Sequence, residues 1–130
     1  MKILFPFVGD TIGGSHISAF TLFNCLKAQY PQIKFNVLVF TASDSFKKCA
    51  LANNIQFHEL GVALKSYSKI GIIYDTLKTI ILITKYLSKE GFDIVHTNDI
   101  RMHLLFLVAS KFVSTKHLWH QRTSMPKSSF

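Results

Sequence analysis

The sequence has few of the residues that mark disulfide-bonded, disordered or strongly acidic proteins. Its 130 residues include only two cysteines, Cys25 and Cys49, which are too far apart for a Cys-x-x-Cys site. We expect both to be small buried side chains in a reducing compartment. Charged residues make up 17% of the chain and apolar residues 48%. This composition excludes a disordered protein and leaves apolar surface for another domain, a subunit or a membrane to cover.

Long apolar runs are also missing. The most apolar segment, Lys69 to Lys89, is interrupted by Asp75, Lys78 and Lys85, whereas a membrane span needs about 20 apolar residues. The apolar stretch at the N-terminus is too short for a secretory signal. We therefore expect a cytoplasmic protein. The lysines of this segment share one helix edge, which leaves open a peripheral contact with the inner face of the membrane.

Acidic residues are scarce, and this shortage gives the chain its charge. Seven Asp and Glu stand against 15 Lys and Arg, for a net charge of +8, which favours anionic partners. The basic residues are scattered, however, and Lys47 and Lys48 are the only adjacent pair, so we expect no nucleic-acid partner. The six histidines lack metal-ligand spacing such as His-Glu-x-x-His, so we expect no metal site.

Apolar strand-like runs alternate with helical patterns along the whole chain. This alternation predicts an α/β fold, a Rossmann-like parallel sheet of about five strands with helices on both faces. A single domain is predicted over residues 1–123, followed by a tail at residues 124–130. Five strands are predicted, over Lys2 to Val8, Phe35 to Phe40, Ile55 to Leu60 near the sheet edge, Phe92 to His96, and Lys116 to Gln121.

Spacing also predicts which helix faces are buried. Ser15 is expected to cap the first helix, and Ser43 or Asp44 the second. The helix from Lys69 to Lys89 is expected to be mostly buried, with Gly91 ending it, and the helix after Asp99 to be well buried. The predicted inward residues of the first helix are Ala19, Leu22, Phe23, Leu26 and Tyr30, and those of the long helix include Ile70, Ile73, Tyr74, Leu77 and Ile81.

A glycine-rich segment, Gly9 to His16, links the first strand to the first helix. Such a link lets backbone N–H groups and a helix N-terminus approach a phosphate. The alternative is that these glycines serve only the geometry of a tight turn. A P-loop is excluded because the lysine that would follow Gly14 is missing, and a dinucleotide fingerprint is excluded by the glycine spacing and by the lack of an acid after Phe40.

Ligands of doubly wound sheets bind beyond the carboxyl ends of the strands. This rule places Gly9 to His16, Thr97 to Arg101 and His120 to Thr123 at one rim. Arg101 begins a helix, an unfavourable place for a cation, which hints at a bound anion or an acidic neighbour. His16 ends the glycine segment and is a candidate to line the cleft.

The order of these segments resembles the N-terminal half of a GT-B glycosyltransferase of the family 4 type. The resemblance rests on the first strand Lys-Ile-Leu-Phe, on Gly13-Gly14-Ser15 at the start of a helix, on Asp93 to Asp99 (Asp-Ile-Val-His-Thr-Asn-Asp), and on Trp119 to Arg122 (Trp-His-Gln-Arg). It covers residues 1 to about 123.

The resemblance implies a hexosyltransferase that moves a sugar from a UDP- or GDP-sugar to a sugar or lipid-linked acceptor, with retention and without a metal or other cofactor. Cell-envelope or surface polysaccharide synthesis is the implied setting. By position, His120 matches the histidine that contacts the transferred sugar, and Gly13 and Gly14 match the loop near the diphosphate. The other candidates to line the cleft are Ser15, His16, Asn98, Asp99, Arg101 and Arg122.

Enzymes of this type carry a second, donor-binding domain. We expect it to be absent from residues 1–130, so that the chain alone is inactive and needs a donor-binding C-terminal domain or separate subunit. The alternative is a non-catalytic Rossmann-like module that binds a nucleotide or a protein. A continuation with a Glu-x7-Glu pattern would favour the enzyme.

Overall fold

A computed structural model describes residues 1–63 and 68–120, in which a parallel sheet lies between two pairs of helices. The predicted alternation of strands and helices is confirmed. In chain order the elements are β1 (Lys2–Phe7), α1 (Gly14–Gln29), β2 (Lys34–Val39), α2 (Asp44–Ala52), β3 (Phe57–Glu59), α3 (Lys69–Glu90), β4 (Ile94–Thr97), α4 (Ile100–Ser110) and β5 (Lys116–Trp119).

The sheet has the strand order β3-β2-β1-β4-β5, and every pairing is parallel. The predicted edge position of the third strand is therefore confirmed. β1 pairs with β2 along its whole length, but its pairing with β4 is confined to Ile3 and Leu4. That pairing stops before Pro6, which has no N–H to donate. The sheet is thus unpaired between the carboxyl ends of β1 and β4.

Successive residues of the central strands point to opposite faces of the sheet, and each face has its own core. Leu4 and Leu38 pack with α3 and α4. Phe5 and Val37 pack with α1 and α2, where aromatic rings meet edge to face, among them Phe5 and Phe23 with centroids 5.7 Å apart. Both faces are covered, as the near-continuous apolar sequences of these strands indicate.

Some predicted inward positions are wrong. Tyr30 is 44% exposed, and Phe20 instead is fully buried in α1. Cys25 is exposed and Cys49 half-buried, whereas both were expected in the core. Cys25 lies about 200° around the helix from the buried Phe23, so it faces outward.

The prediction for the third and fourth helices is wrong for a related reason. α3 buries Thr79, Ile83 and Leu87, and its expected inward row is exposed. Apolar residues surround most of α3 and α4, so periodicity does not indicate which row meets the sheet. α4 buries one side only, with outward residues that include Leu104 and Val108.

The helix ends follow ordinary capping chemistry. The Ser43 hydroxyl accepts a hydrogen bond from the Phe46 N–H at 3.2 Å, so Ser43 rather than Asp44 caps α2. Gly91 ends α3 in the left-handed conformation, as predicted. No helix among the described residues has the length and apolar content to cross a membrane. The predicted tail and residues 121–123 lie outside the described residues.

Candidate functional site

The site predicted at the carboxyl ends of the strands lies at the point where the strand order reverses. β2 and β3 follow β1 on one side, while β4 and β5 lie on the other. The segments after β1 and β4 therefore flank the crevice in which ligands of doubly wound sheets bind. The missing pairing beside Pro6 lies at this crevice. The predicted meeting of Gly9 to His16 with Thr97 to Arg101 is confirmed.

Three glycines of the first loop have different roles. Gly9 has a φ of +89°, and a Cβ there would collide with the Val39 side chain and the Thr41 backbone. Gly9 is therefore required by the turn. Gly13 has an extended φ of −127°, and nothing lies within 4 Å of a Cβ built on Gly13 or Gly14. Turn geometry thus requires glycine at position 9 only. Gly13 and Gly14 leave free space beside the start of α1.

The first helix begins two residues earlier than predicted and is not capped by serine. Gly13 is the capping residue, and the exposed Ser15 lies inside the first turn of α1. The cap comes from His16, whose Nδ1 accepts a hydrogen bond from the Gly13 N–H at 3.2 Å. An acceptor three residues into a helix satisfies the capping N–H as the glutamate of a capping box does.

His16 lies half-buried between this cap and the core. Its ring stacks on Phe7, with centroids 5.4 Å apart and planes at 29°, and meets Phe46 edge to face. Burial lowers the pKa of His16, and the nearby Arg101 acts in the same direction, against Asp10 and Asp99, which raise it. The imidazole is therefore neutral at pH 7, with Nδ1 as acceptor.

The second side of the crevice is built on the start of α4. The Asp99 carboxylate accepts hydrogen bonds from the N–H groups of Arg101 and Met102 and caps the helix. Arg101 reaches across to the first loop, where its Nη2 lies 3.1 Å from Asp10 Oδ2, and its Nε lies 3.6 Å from Asp99 Oδ1. The acidic neighbours hinted at by the position of Arg101 are thus Asp10 and Asp99.

Asp10 holds its charge at this contact. Partial burial acts to raise the pKa of Asp10, but hydrogen bonds from the Thr11 N–H and the Arg101 guanidinium outweigh it and hold the pKa below its ordinary value. Both members of the pair are about half exposed, so the pair is open to solvent and to a ligand. The sequence pattern did not single out Asp10.

A small cavity of about 220 Å³ is lined in part by both residues of this ion pair. Its lining is mainly apolar, and Asp10 and Arg101 are its charged residues. An apolar pocket with a few polar groups is the usual form of a small-molecule site. We call it the switch-point pocket; its other lining residues are Val8, Phe40, Thr41, Val62 and Ala63.

Asn98 lies at the same rim. Both polar atoms of its side-chain amide are buried and have no hydrogen-bond partner among the described residues. Because both atoms are buried, a ligand reaches this amide only if the side chain turns outward. The structure thus places Asn98 and Asp99 between β4 and α4, beside the crevice. Their role in lining a ligand cleft stays a prediction.

His120 lies at the end of β5, next to the crevice. Its N–H donates to the Thr97 carbonyl at 2.9 Å, and its exposed ring meets the buried His96 edge to face at 5.8 Å. His96 packs in turn on Phe5. His120 is therefore at the predicted rim, joined to β4. Arg122 lies outside the described residues.

Two further histidines have structural contacts. His103 of α4 stacks on Trp119 at 4.1 Å and on His117 at 4.7 Å, and the Thr97 hydroxyl lies 3.0 Å from His117 Nε2. Burial lowers the pKa of both His103 and His117. These contacts join α4 to β5. No group of three or more possible metal ligands occurs within residues 1–63 and 68–120.

Comparisons with known proteins found similar solved structures but no matching sequence family. No family model matches the sequence, and no curated protein matches it. The solved structure of WaaB, a lipopolysaccharide outer core galactosyltransferase in its apo form, superimposes with a TM-score of 0.65 and 22% identity, over 93% of this chain and 32% of that one.

Two other neighbours are a glycosyltransferase from Rickettsia africae ESF-5 and MurG from Acinetobacter baumannii. The first has a TM-score of 0.65 and 18% identity, over 98% of this chain and 31% of the neighbour. MurG has a TM-score of 0.71 and 14% identity, over 92% and 34%. The chain thus spans about a third of each structure, and shares its fold with part of these glycosyltransferases.

Proposed function

We propose that this chain is the acceptor-side part of a glycosyltransferase of GT-B architecture and family 4 type. The observation that carries the proposal is the switch-point pocket, which lies at the ligand-binding crevice of a fold shared with glycosyltransferases. The enzyme would transfer a hexose from a UDP- or GDP-sugar with retention, in cell-envelope or surface polysaccharide synthesis. The WaaB neighbour, an outer core galactosyltransferase, supports this setting.

The acceptor would bind at the switch-point pocket. A sugar ring has an apolar face and a rim of hydroxyls, which suits apolar walls below a charged mouth. The Asp10 carboxylate would accept hydrogen bonds from hydroxyls, and the Arg101 guanidinium would donate them. Asn98 and Asp99, at the same rim, would line the rest of the cleft. The pocket is smaller than most ligand sites, as expected for one wall of a cleft.

The donor diphosphate would lie at the start of α1. Departure of a nucleoside diphosphate builds negative charge on its phosphate oxygens, and the first N–H groups of a helix have no intrahelical acceptors. The open space at Gly13 and Gly14 would let phosphate approach these groups, which would stabilise the transition state more than the ground state. His120 would hydrogen-bond the transferred sugar, and Ser15, His16 and Arg122 would line the cleft.

Binding experiments on the chain test the acceptor site. Ligand-observed NMR should detect saccharide acceptors on the wild-type chain, and Asp10→Asn should weaken that binding. Lys47→Gln, an exposed change on α2, serves as the control and should leave it unchanged. If nucleotides bind while no saccharide does, the chain is instead a nucleotide-binding module.

Sugar transfer tests the enzyme. The chain would be combined with a donor-binding C-terminal domain or separate subunit, and transfer from UDP- and GDP-sugars to lipid-linked acceptors would be measured. Product should form only when both parts are present. In the cell, the reaction would take place at the inner face of the membrane. Absence of transfer with every such partner would remove the enzyme proposal and leave any saccharide binding as a separate property.

A further inference from the structure

A cavity of about 500 Å³ lies at the amino-terminal edge of the sheet. Three segments enclose it, namely the end of α3, the turn of residues 91–93 before β4, and the turn of residues 112–115 before β5. We call it the basal pocket; its lining residues are Leu87, Ser88, Gly91, Phe92, Asp93, Phe112, Val113, Ser114 and Thr115.

The basal pocket is separate from the switch-point pocket. β4 starts at the basal pocket and runs to the opposite edge of the sheet, where the crevice lies. Four strand residues span about 13 Å, and the two cavities share no lining residue among those described. A volume of this size lies in the range of small-molecule sites, about 300–1,000 Å³.

Hydrogen bonds between its segments fix the walls of the basal pocket. The Thr115 hydroxyl donates to the Phe92 carbonyl at 2.9 Å and joins the two turns. The Asp93 N–H donates to the Lys2 carbonyl at 2.9 Å, and Asp93 Oδ2 accepts from the Lys2 N–H at 2.7 Å. The Lys2 ammonium also lies 4.4 Å from the centroid of the Phe92 ring. A pocket that is fixed in advance loses little entropy when a ligand binds.

The polar side chains of the basal pocket keep free hydrogen-bonding groups. Ser88 and Ser114 are exposed, and neither hydroxyl has a hydrogen-bond partner within residues 1–63 and 68–120. Asp93 uses Oδ2 for its contact with Lys2, and its Oδ1 has no partner in this part of the chain. The pocket therefore offers two hydroxyls, each a donor and an acceptor, and one carboxylate oxygen that accepts.

Phe112 adds an apolar surface beside these groups. Its side chain is 71% exposed although it lines the cavity. A ligand that covers the ring removes this apolar area from water, which favours binding. The basal pocket thus combines an aromatic surface with hydroxyl and carboxylate groups.

This combination selects among ligand classes. Asp93 is the charged residue of the lining, so phosphates and other anions meet a like charge. One carboxylate supplies too few ligands for a metal ion. A neutral sugar suits the pocket, because its ring has an apolar face and a rim of hydroxyls. We propose that the basal pocket is a second saccharide-binding site, specific for neutral sugars.

The sugar ring lies against Phe112, and its hydroxyls bind Ser88, Ser114 and the free oxygen of Asp93. A saccharide held at this edge of the sheet leaves the switch-point pocket free for an acceptor. Binding at the basal pocket requires no sugar transfer and no donor-binding domain. The two proposals can therefore fail separately.

Amide NMR titration of the 130-residue chain tests the site. Methyl glucoside, methyl galactoside and lactose are the probes, and at least one should shift the amide signals of Ser88, Asp93 and Ser114. Phe112→Ala should weaken binding at these signals by about fivefold or more, because the sugar loses its apolar surface. Tyr74→Ala removes another ring, 65% exposed on α3 and outside the cavity, and should bind like the wild type.

A charged sugar tests the role of Asp93. Methyl glucuronide, which carries a carboxylate, should bind the basal pocket at least about fivefold more weakly than methyl glucoside at low salt. Asp93→Asn should reduce this difference, since it removes the like charge. Circular dichroism checks the fold of that variant, because Asp93 also contacts Lys2.

Three results would overturn the basal site. The first is the absence of shifts at Ser88, Asp93 and Ser114 with every neutral probe. The second is an equal loss of binding in the Phe112 and Tyr74 variants, and the third is tighter binding of methyl glucuronide than of methyl glucoside. Shifts confined to the switch-point pocket would also reject the basal site while supporting saccharide binding at the crevice.

Discussion

The replacement of Gly9 by alanine distinguishes glycines that the turn requires from glycines that leave space. Gly9 has a φ of +89°, and a methyl group there would meet the Val39 side chain and the Thr41 carbonyl, which are parts of β2 and its end. A strained backbone costs about 1–3 kcal/mol, and overpacking of a core costs about 1–3 kcal/mol. Gly9→Ala should therefore lower the free energy of unfolding by roughly 2–6 kcal/mol.

Gly14→Ala makes the same chemical change a few residues away and serves as the control. Gly14 is the first residue of α1, with nothing within 4 Å of a Cβ built on it, so alanine should stabilise the protein by about 0.4–1 kcal/mol. Urea unfolding followed by circular dichroism measures both changes. If Gly9→Ala is no less stable than Gly14→Ala, the assignment of Gly9 to the turn is wrong.

Three further predictions concern the crevice. His120→Ala should slow sugar transfer in the complete enzyme and change the free energy of unfolding by less than about 0.5 kcal/mol, because the residue is exposed; equal transfer rates would remove His120 from the site. A double-mutant cycle of Asp10→Asn and Arg101→Gln should give a coupling below about 1 kcal/mol, since the pair is open to solvent; a coupling of about 3 kcal/mol, the size found for buried pairs, would contradict this. Because the pKa of His16 is lowered in the folded protein, its imidazole binds a proton more readily in the unfolded chain. The contribution of neutral His16 to the free energy of unfolding is therefore present above pH 6.5, and it is lost as the pH falls from 6.5 towards the folded pKa. His16→Gln, which keeps an acceptor for the cap, should flatten urea-unfolding stability against pH in this window; an unchanged slope would refute the link.

The sequence alone determined the order of elements and their parallel pairing. Near-continuous apolar runs such as Ile3 to Val8 predict strands that are covered on both faces, and alternation with helices leaves few ways to connect them. Local chemistry also predicted the end of α3 at Gly91, and it limited the cap of α2 to Ser43 or Asp44. The common rim followed from topology, because the ends of parallel strands share one edge.

Tertiary packing decided the features that depend on distant parts of the chain. The partner of Arg101 is Asp10, 91 residues away, and no local spacing indicates it. The cap on α1 comes from His16 rather than Ser15, since its ring is held by Phe7 and Phe46 of the core.

The orientation of α3 was also decided by packing. The α3 sequence has apolar residues on most sides of the helix, so periodicity alone does not indicate which row packs on the sheet. In the structure that row is Thr79, Ile83 and Leu87. Thr79 is tolerated there because its hydroxyl donates to the Asp75 carbonyl at 2.7 Å. The more apolar row was left outside. Amino-acid order thus fixed which segments are helices and strands, and the contacts between them fixed which surfaces are free to bind.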